Sequence, residues 1–175
     1  LTGTDEPAGA LAALDAYRNP DGGYGWGLEP DLRSVTSQPA AALHALEVFA
    51  EVGPTISPHA ARLCDWLATV TLPEGALPFA LPVTDPHGCA PFWVSADPTG
   101  PSLQISAIVA AHAHRVAAHD PEVAAHPWLA TVTDYCLAAI DALRERPHAL
   151  VLVHAVRFLD AASRTRPEAA DLLDR

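Results

Sequence analysis

Apolar and polar positions along this chain recur on a helical period. Leu43, Leu46 and Phe49 return every third residue across 37–52, and Ser37 stands where a cap would open that helix. Ser57-Pro58 opens another helix reaching about Val70: the serine caps it, and the proline takes the first helical position, where its missing N–H is harmless. The same pattern predicts helices over 7–17, 101–119, 127–144 and 147–162, and the start of one more over 166–173. No segment alternates with the two-residue period of a strand, and the prolines fall between helices, so the expected fold class is all-α. Residues 71–100 carry no helical rhythm. That stretch exceeds the ~12–15 residues usual for a structureless loop, so it is expected to be functional or partly ordered.

A turn sequence occurs twice. Pro20-Asp21-Gly22-Gly23-Tyr24-Gly25-Trp26-Gly27-Leu28 returns 53 residues later as Pro73-Glu74-Gly75-Ala76-Leu77-Pro78-Phe79-Ala80-Leu81. Both copies follow a helical segment and read proline, acid, glycine, small, apolar, any, aromatic, small, leucine, the trace of a structural repeat whose turn chemistry is fixed. In the first copy, glycines supply positive φ, Asp21 closes the turn, and Tyr24 and Trp26 pack between helices. No strand precedes the run, so it is not a dinucleotide loop. A second echo, Trp-Leu-Ala-Thr-Val-Thr at 66–71 and 128–133, runs into Pro-acid-Gly only in its first copy and reads as a coincidence of helix composition. Helix pairs about fifty residues apart, joined by such turns, fit layers that curve into a double ring. The Ala- and Val-rich segments 37–52, 101–119 and 147–162 are the expected inner helices, and 7–17, 57–70 and 127–144 the outer ones.

Composition narrows the chemistry. At 175 residues the chain is long enough for a real core and fits a single domain. It holds no methionine, not even at position 1, so Leu1 is not a translational start and the segment is expected to belong to a longer protein. All 10 basic residues are arginine, which removes Schiff-base and P-loop lysine chemistry from this segment. A net charge of −11 repels phosphate backbones and anionic lipid, so neither nucleic acid nor a membrane surface is an expected partner. The 3 cysteines, Cys64, Cys89 and Cys136, are far apart and odd in number, which suggests reduced thiols and a cytoplasmic protein. No stretch reaches the ~18–20 apolar residues of a membrane span.

Asp21-Gly22-Gly23-Tyr24-Gly25-Trp26-Gly27 resembles the turn of the prenyltransferase and squalene-cyclase repeat. The chain is similar to that α/α-toroid superfamily over most of its length, and most similar to bacterial toroid proteins with Gly-Leu-Glu-Pro-Asp after the turn, here 27–31, and Ser-Gln-Pro before the next helix, here 37–39. The resemblance implies a segment of an α/α toroid with alternating inner and outer helices, about half of a ring of six pairs. The rest of its own chain, or a second copy, would complete that ring around a hydrophobic small molecule of isoprenoid type. It does not carry an activity across. The cyclases' Asp-x-Asp-Asp acid is missing. Asp134-Tyr135-Cys136 has the spacing of the prenyltransferases' zinc pair, with His148 or His154 downstream, but the flanking Gly-Gly-Phe and Lys-Pro-Gly segments are missing. No metal is therefore assigned, with zinc or magnesium left as a minor alternative.

The candidate site residues follow from that placement. Glu29 and Asp31 lie between the turn and an inner helix. Two carboxylates held close would raise the pKa of one and make a general acid, while turn formation, capping or neutralisation by Arg33 are equally available roles. Parallel inner helices would gather their N-termini into an anion site near Gln38, Ser102, Gln104 and His148. Trp26, Phe79, Phe92 and Trp93 would line the approach and stabilise a cation, or simply pack a core. Trp26, Arg33, Gln38, Phe79, Phe92, Trp93, Gln104 and His148 are thus the expected ligand contacts. His112 and His114 leave one helix in different directions and are not expected to share a metal. His44 and His154 fall inside inner helices, as hydrogen-bonded core groups or cavity-lining contacts. The alternative to an isoprenoid enzyme is a non-catalytic toroid that binds lipid or protein.

Overall fold

The computed structural model describes residues 5–174, and every regular element among them is helical. Helix α1 (Asp5–Leu14) runs into a single 3-10 turn at Asp15–Tyr17 and is followed by α2 (Pro39–Glu51) and α3 (Pro58–Val70). A one-turn α4 (Pro91–Val94) lies in the long irregular stretch, and α5 (Leu103–Ala117), a one-turn α6 (Pro121–Ala124), α7 (Pro127–Asp141), α8 (Ala149–Ala162) and α9 (Pro167–Leu173) complete the order. All seven expected helices are present. The starts are set by caps: Ser57 accepts from the His59 N–H, Ser102 from the Ile105 N–H, and Asp120 from the Glu122 and Val123 N–H groups that open α6. Ser37 does not cap α2 as expected. Its hydroxyl donates to the Asp21 carboxylate at 2.8 Å and accepts from Asn19, so the cap position passes to Gln38.

Helix α5 lies between α2 and α8, and the three run in one direction. Their C-terminal halves line one cavity together, while His154 in the second turn of α8 donates to the Gln104 carbonyl in the first turn of α5. Behind this row, α3 packs on α2 and α7, and α7 on α5, α8 and α9. Residues Ile105 through Ala113 of α5 are all buried, which is why the helix is built from alanine, valine and isoleucine: small side chains let neighbours approach from every side. Among the described residues no helix is long and apolar enough to cross a membrane.

The repeated turn is a repeated structure. In the first copy Gly22 N–H donates to Asn19 and Asn19 N–H to Gly23; in the second, Gly75 N–H donates to Leu72 and Leu72 N–H to Ala76. The two glycines share one left-handed conformation, φ +93° and +92°, which only glycine adopts at low cost. Each turn then aims a helix of the row, because Gln38 N–H donates to the Tyr24 carbonyl before α2 and Ser102 N–H to the Leu77 carbonyl before α5. Each also sits on the next helix behind the row: a Cβ on Gly22 would meet the Arg62 carbonyl of α3, and one on Gly75 the Thr131 carbonyl of α7. Arg62 and Thr131, like Trp66 and Tyr135, are 69 residues apart, so α3 and α7 correspond at that offset and not at the spacing of the Trp-Leu-Ala-Thr-Val-Thr echo. The α7–α8 connection has no third copy of the turn, and His148 caps α8 itself by accepting from the Leu150 N–H.

Tyr24 is fully buried, stands edge-on to Phe49 at 6.3 Å, and its hydroxyl has no partner. Burial pushes the phenol pKa upward. Leaving a buried hydroxyl unbonded costs about 1–3 kcal/mol, so Tyr24→Phe is expected to raise stability by up to ~1 kcal/mol in urea denaturation. A loss of the same size would mean that the hydroxyl is paired. The outer edge of α8 is the other anomaly: Leu150, Leu152, Val153 and Val156 are all nearly half exposed.

Candidate functional site

Residues 71–100 bring together half of the expected site. Gln38 is buried and clamps this stretch like a strand partner, its side-chain amide donating to the Leu81 carbonyl at 3.3 Å and accepting from the Leu81 N–H at 2.9 Å. Trp93 stacks on Phe79, centroids 4.5 Å apart and planes 23° apart, and tilts against Phe92 at 5.3 Å. Its indole N–H donates to the Asp31 carboxylate at 2.7 Å, and the Asp31 carbonyl accepts from Ala90. Asp31 therefore anchors the loop. The stem of Arg33 fills the space beside Gly27 and Gly88, fastening the same two segments. Trp26 is more than half exposed, with its indole N–H on Asn19. Gln104 and His148 sit at the starts of α5 and α8, where Ser102 and His148 already satisfy first-turn N–H groups.

Glu29 has a separate role. One oxygen of its carboxylate lies 3.0 Å from His44 Nε2, and a Glu47 oxygen lies 3.3 Å from His44 Nδ1. The imidazole is held between two carboxylates. The Glu29 hydrogen bond raises the His44 pKa, burial opposes it, and Glu47 adds to the rise. This is a group that can hold and return a proton, built from one predicted acid, one histidine left open by the sequence, and Glu47, which sequence reasoning missed. The signal for Glu47 was its i,i+3 spacing from His44 on α2.

Glu47 also lines a cavity of about 490 Å³ over α2, α5 and α8, with His112, Arg115, Arg157, Asp160 and Arg164 in its wall. A second cavity, about 440 Å³, opens between the ends of α5 and α8 and the start of α7, and its wall is mostly apolar, including Ala117, Pro127, Leu129, Ala130 and Ala161. Neither Glu29 nor Asp31 lines either cavity.

His112 and His114 both border the cavity over α2, α5 and α8, but only His114 is bonded, to the Thr133 hydroxyl of α7 at 2.8 Å. Burial is the main cause that lowers both pKa values to about 4; nearby arginines lower them further, Arg115 and Arg157 at His112 and Arg166 at His114, while Glu47 opposes the shift at His112. His59 and His154 shift the same way and His44 the opposite way. Unfolded chains take up these protons near pH 6.5, whereas folded His112 and His114 resist until about 4, so stability falls as pH drops through that window. The two together are expected to remove about 2–4 kcal/mol between pH 7 and 4.5. His44 offsets part of this, since its stabilisation is fully present below pH 6.5 and fades as pH rises through its folded pKa. Urea midpoints across the window should drop for the native chain and drop less for His112→Gln/His114→Gln; a flat profile would contradict the assignment.

The prenyltransferase-like trio is not assembled. The Asp134 carboxylate is bound by Arg166 at 2.8 Å, Cys136 is fully buried with its thiol pKa raised by burial, His148 caps α8, and His154 is spent on Gln104. Among the described residues no group of three or more His, Cys, Asp or Glu side chains is arranged to hold a metal ion. The cysteines are all free, and burial lifts the Cys64 thiol to about 12. Compared with protein-family models, curated proteins and solved structures, the chain matches none.

Proposed function

We propose that this chain is a segment of an α/α-toroid domain, of the terpene-cyclase and prenyltransferase kind, that binds a hydrophobic isoprenoid-type molecule. The single observation that carries the ligand is the apolar cavity of about 440 Å³, a size ordinary for small-molecule sites. The toroid reading is supported by three parallel helices in a row, a second row behind them, and one turn geometry used twice to aim the first two. Binding is favoured over catalysis, because the carboxylates that resembled general acids are engaged elsewhere, Glu29 with His44 and Asp31 with Trp93. Titration of the purified protein with a sesquiterpene alcohol should show saturable uptake. Ala130→Trp, which adds bulk to an exposed position in the cavity wall, should abolish uptake with little change in urea midpoint. Uptake that is unaffected by Ala130→Trp would place the ligand elsewhere.

A second reading, a protein-interaction module, is favoured by the apolar edge of α8. Its occupant on this reading is a second copy of the chain: between Ala149 and Val156 the helix carries no carboxylate or arginine, so two strongly acidic molecules can meet there without charge repulsion and in a self-complementary way. Light scattering of the native chain and of Leu152→Glu/Val156→Glu decides it. A dimer lost in the variant supports the reading, and a native monomer removes it.

A further inference from the structure

We infer that the cavity over α2, α5 and α8 is an anion site, built to hold a phosphate or carboxylate group. Arg115, Arg157 and Arg164, all exposed, line this cavity with no hydrogen bond or ion pair to a described residue, and Arg164 borders the apolar cavity as well; Arg33, Arg62 and Arg146 are also without one, so what sets these three apart is that they share one concavity. Two carboxylates share the wall. Glu47 is engaged by His44, which leaves Asp160 against three guanidinium groups. Unpaired guanidinium groups facing one concavity are the arrangement that recognises oxyanions, since each offers a planar fork of N–H donors.

His112 stands on the same wall. It is 5% exposed, lines the cavity, and its Nδ1 is buried with no partner. That nitrogen is closed off from the cavity, so a bound group does not reach it, and His112 contributes the rest of its ring to the wall. The imidazole is neutral at pH 7, so it adds no charge there.

Complementing helix dipoles is the competing role for these arginines, since all three helices end at this side of the row. That role suits Arg115, in the last turn of α5, and Arg164, just past α8. It does not account for Arg157, which lies before the last turn of α8, where the only other polar side chain between Ala149 and Phe158 is His154. The site lies at the C-terminal end of the row, opposite to the helix starts expected to attract an anion. Small residues, Ala50, Ala111 and Ala161, complete the wall and leave room for a compact group.

The two cavities adjoin and share Arg164 and Ala161, but Arg115 and Arg157 line only this one, and calorimetry at low ionic strength tests the proposal with two probes, inorganic pyrophosphate and citrate. Saturable binding of either is expected, weakened at least tenfold in Arg115→Gln/Arg157→Gln and unchanged in Arg146→Gln, an exposed arginine outside the cavity. Preference for pyrophosphate identifies a phosphate ligand and preference for citrate a carboxylate. The double variant should keep the native urea midpoint, so that lost binding is not lost folding. No saturable binding of either probe, or equal weakening by Arg146→Gln, would overturn the assignment. Ala130→Trp should leave pyrophosphate binding intact, which separates a failure here from a failure of the isoprenoid reading.

Discussion

Gly25→Ala is expected to be among the most damaging single substitutions in the chain, at about 3 kcal/mol or more. A Cβ at this position would lie 2.5 Å from the carbonyl oxygens of both Val35 and Thr36. Those are backbone atoms, so no rotamer change relieves the overlap. The two segments cannot easily separate either: Gly25 N–H donates to the Tyr17 carbonyl at 2.9 Å and Gln38 N–H to the Tyr24 carbonyl at 2.9 Å, and both bonds set the angle at which α2 leaves the turn. Gly100→Ala is the contrast, since its Cβ would approach the Asp97 side chain first, at 3.3 Å, and not a backbone atom. Gly9→Ala, inside α1 with nothing within 4 Å, should gain about 0.5–1 kcal/mol from helix propensity. Denaturant unfolding of the three variants tests the series. A Gly25→Ala midpoint close to native would mean that the turn does not hold α2.

Trp93→Ala should cost about 3–5 kcal/mol, the range for emptying a buried aromatic site. Trp93 is only 7% exposed, stacks on Phe79 and holds Asp31, so its loss would detach residues 82–100 from the row. Trp93→Phe separates the two contributions. It keeps a ring on Phe79 and loses the hydrogen bond to a charged acceptor, for about 1–2 kcal/mol, because the exposed Asp31 recovers water. Limited proteolysis should find new cleavage within 82–100 for the alanine variant and little for phenylalanine. Equal cleavage and equal destabilisation of the two would show that the hydrogen bond, and not the stack, fastens the loop.

Helices were legible because each carries its own start. Ser57, Ser102, Asp120 and His126 all cap by accepting from N–H groups two or three residues on, a purely local device. The turn repeat was legible for the same reason, since the positive φ at Gly22 and Gly75 leaves glycine in the sequence. Contacts across the fold were not. Asp31 looked like half of a carboxylate pair with Glu29, but its partner is Trp93, 62 residues away, and no spacing rule announces that bond. Ser37 looked like a cap because it stands at the head of the apolar rhythm of α2, and is instead recruited by Asp21, 16 residues earlier. The cationic cavity was missed because Arg115, Arg157 and Arg164 come from two helices that meet only through the parallel packing of α5 and α8.

Native mass spectrometry of the full-length protein, purified from its own host without detergent, is the most direct test of the ligand-binding claim. The expected spectrum shows a protein carrying a hydrophobic small molecule that is released on denaturation, and the molecule is missing from the Ala130→Trp variant. A native protein that carries nothing, and takes up no sesquiterpene alcohol when one is supplied, would contradict the account.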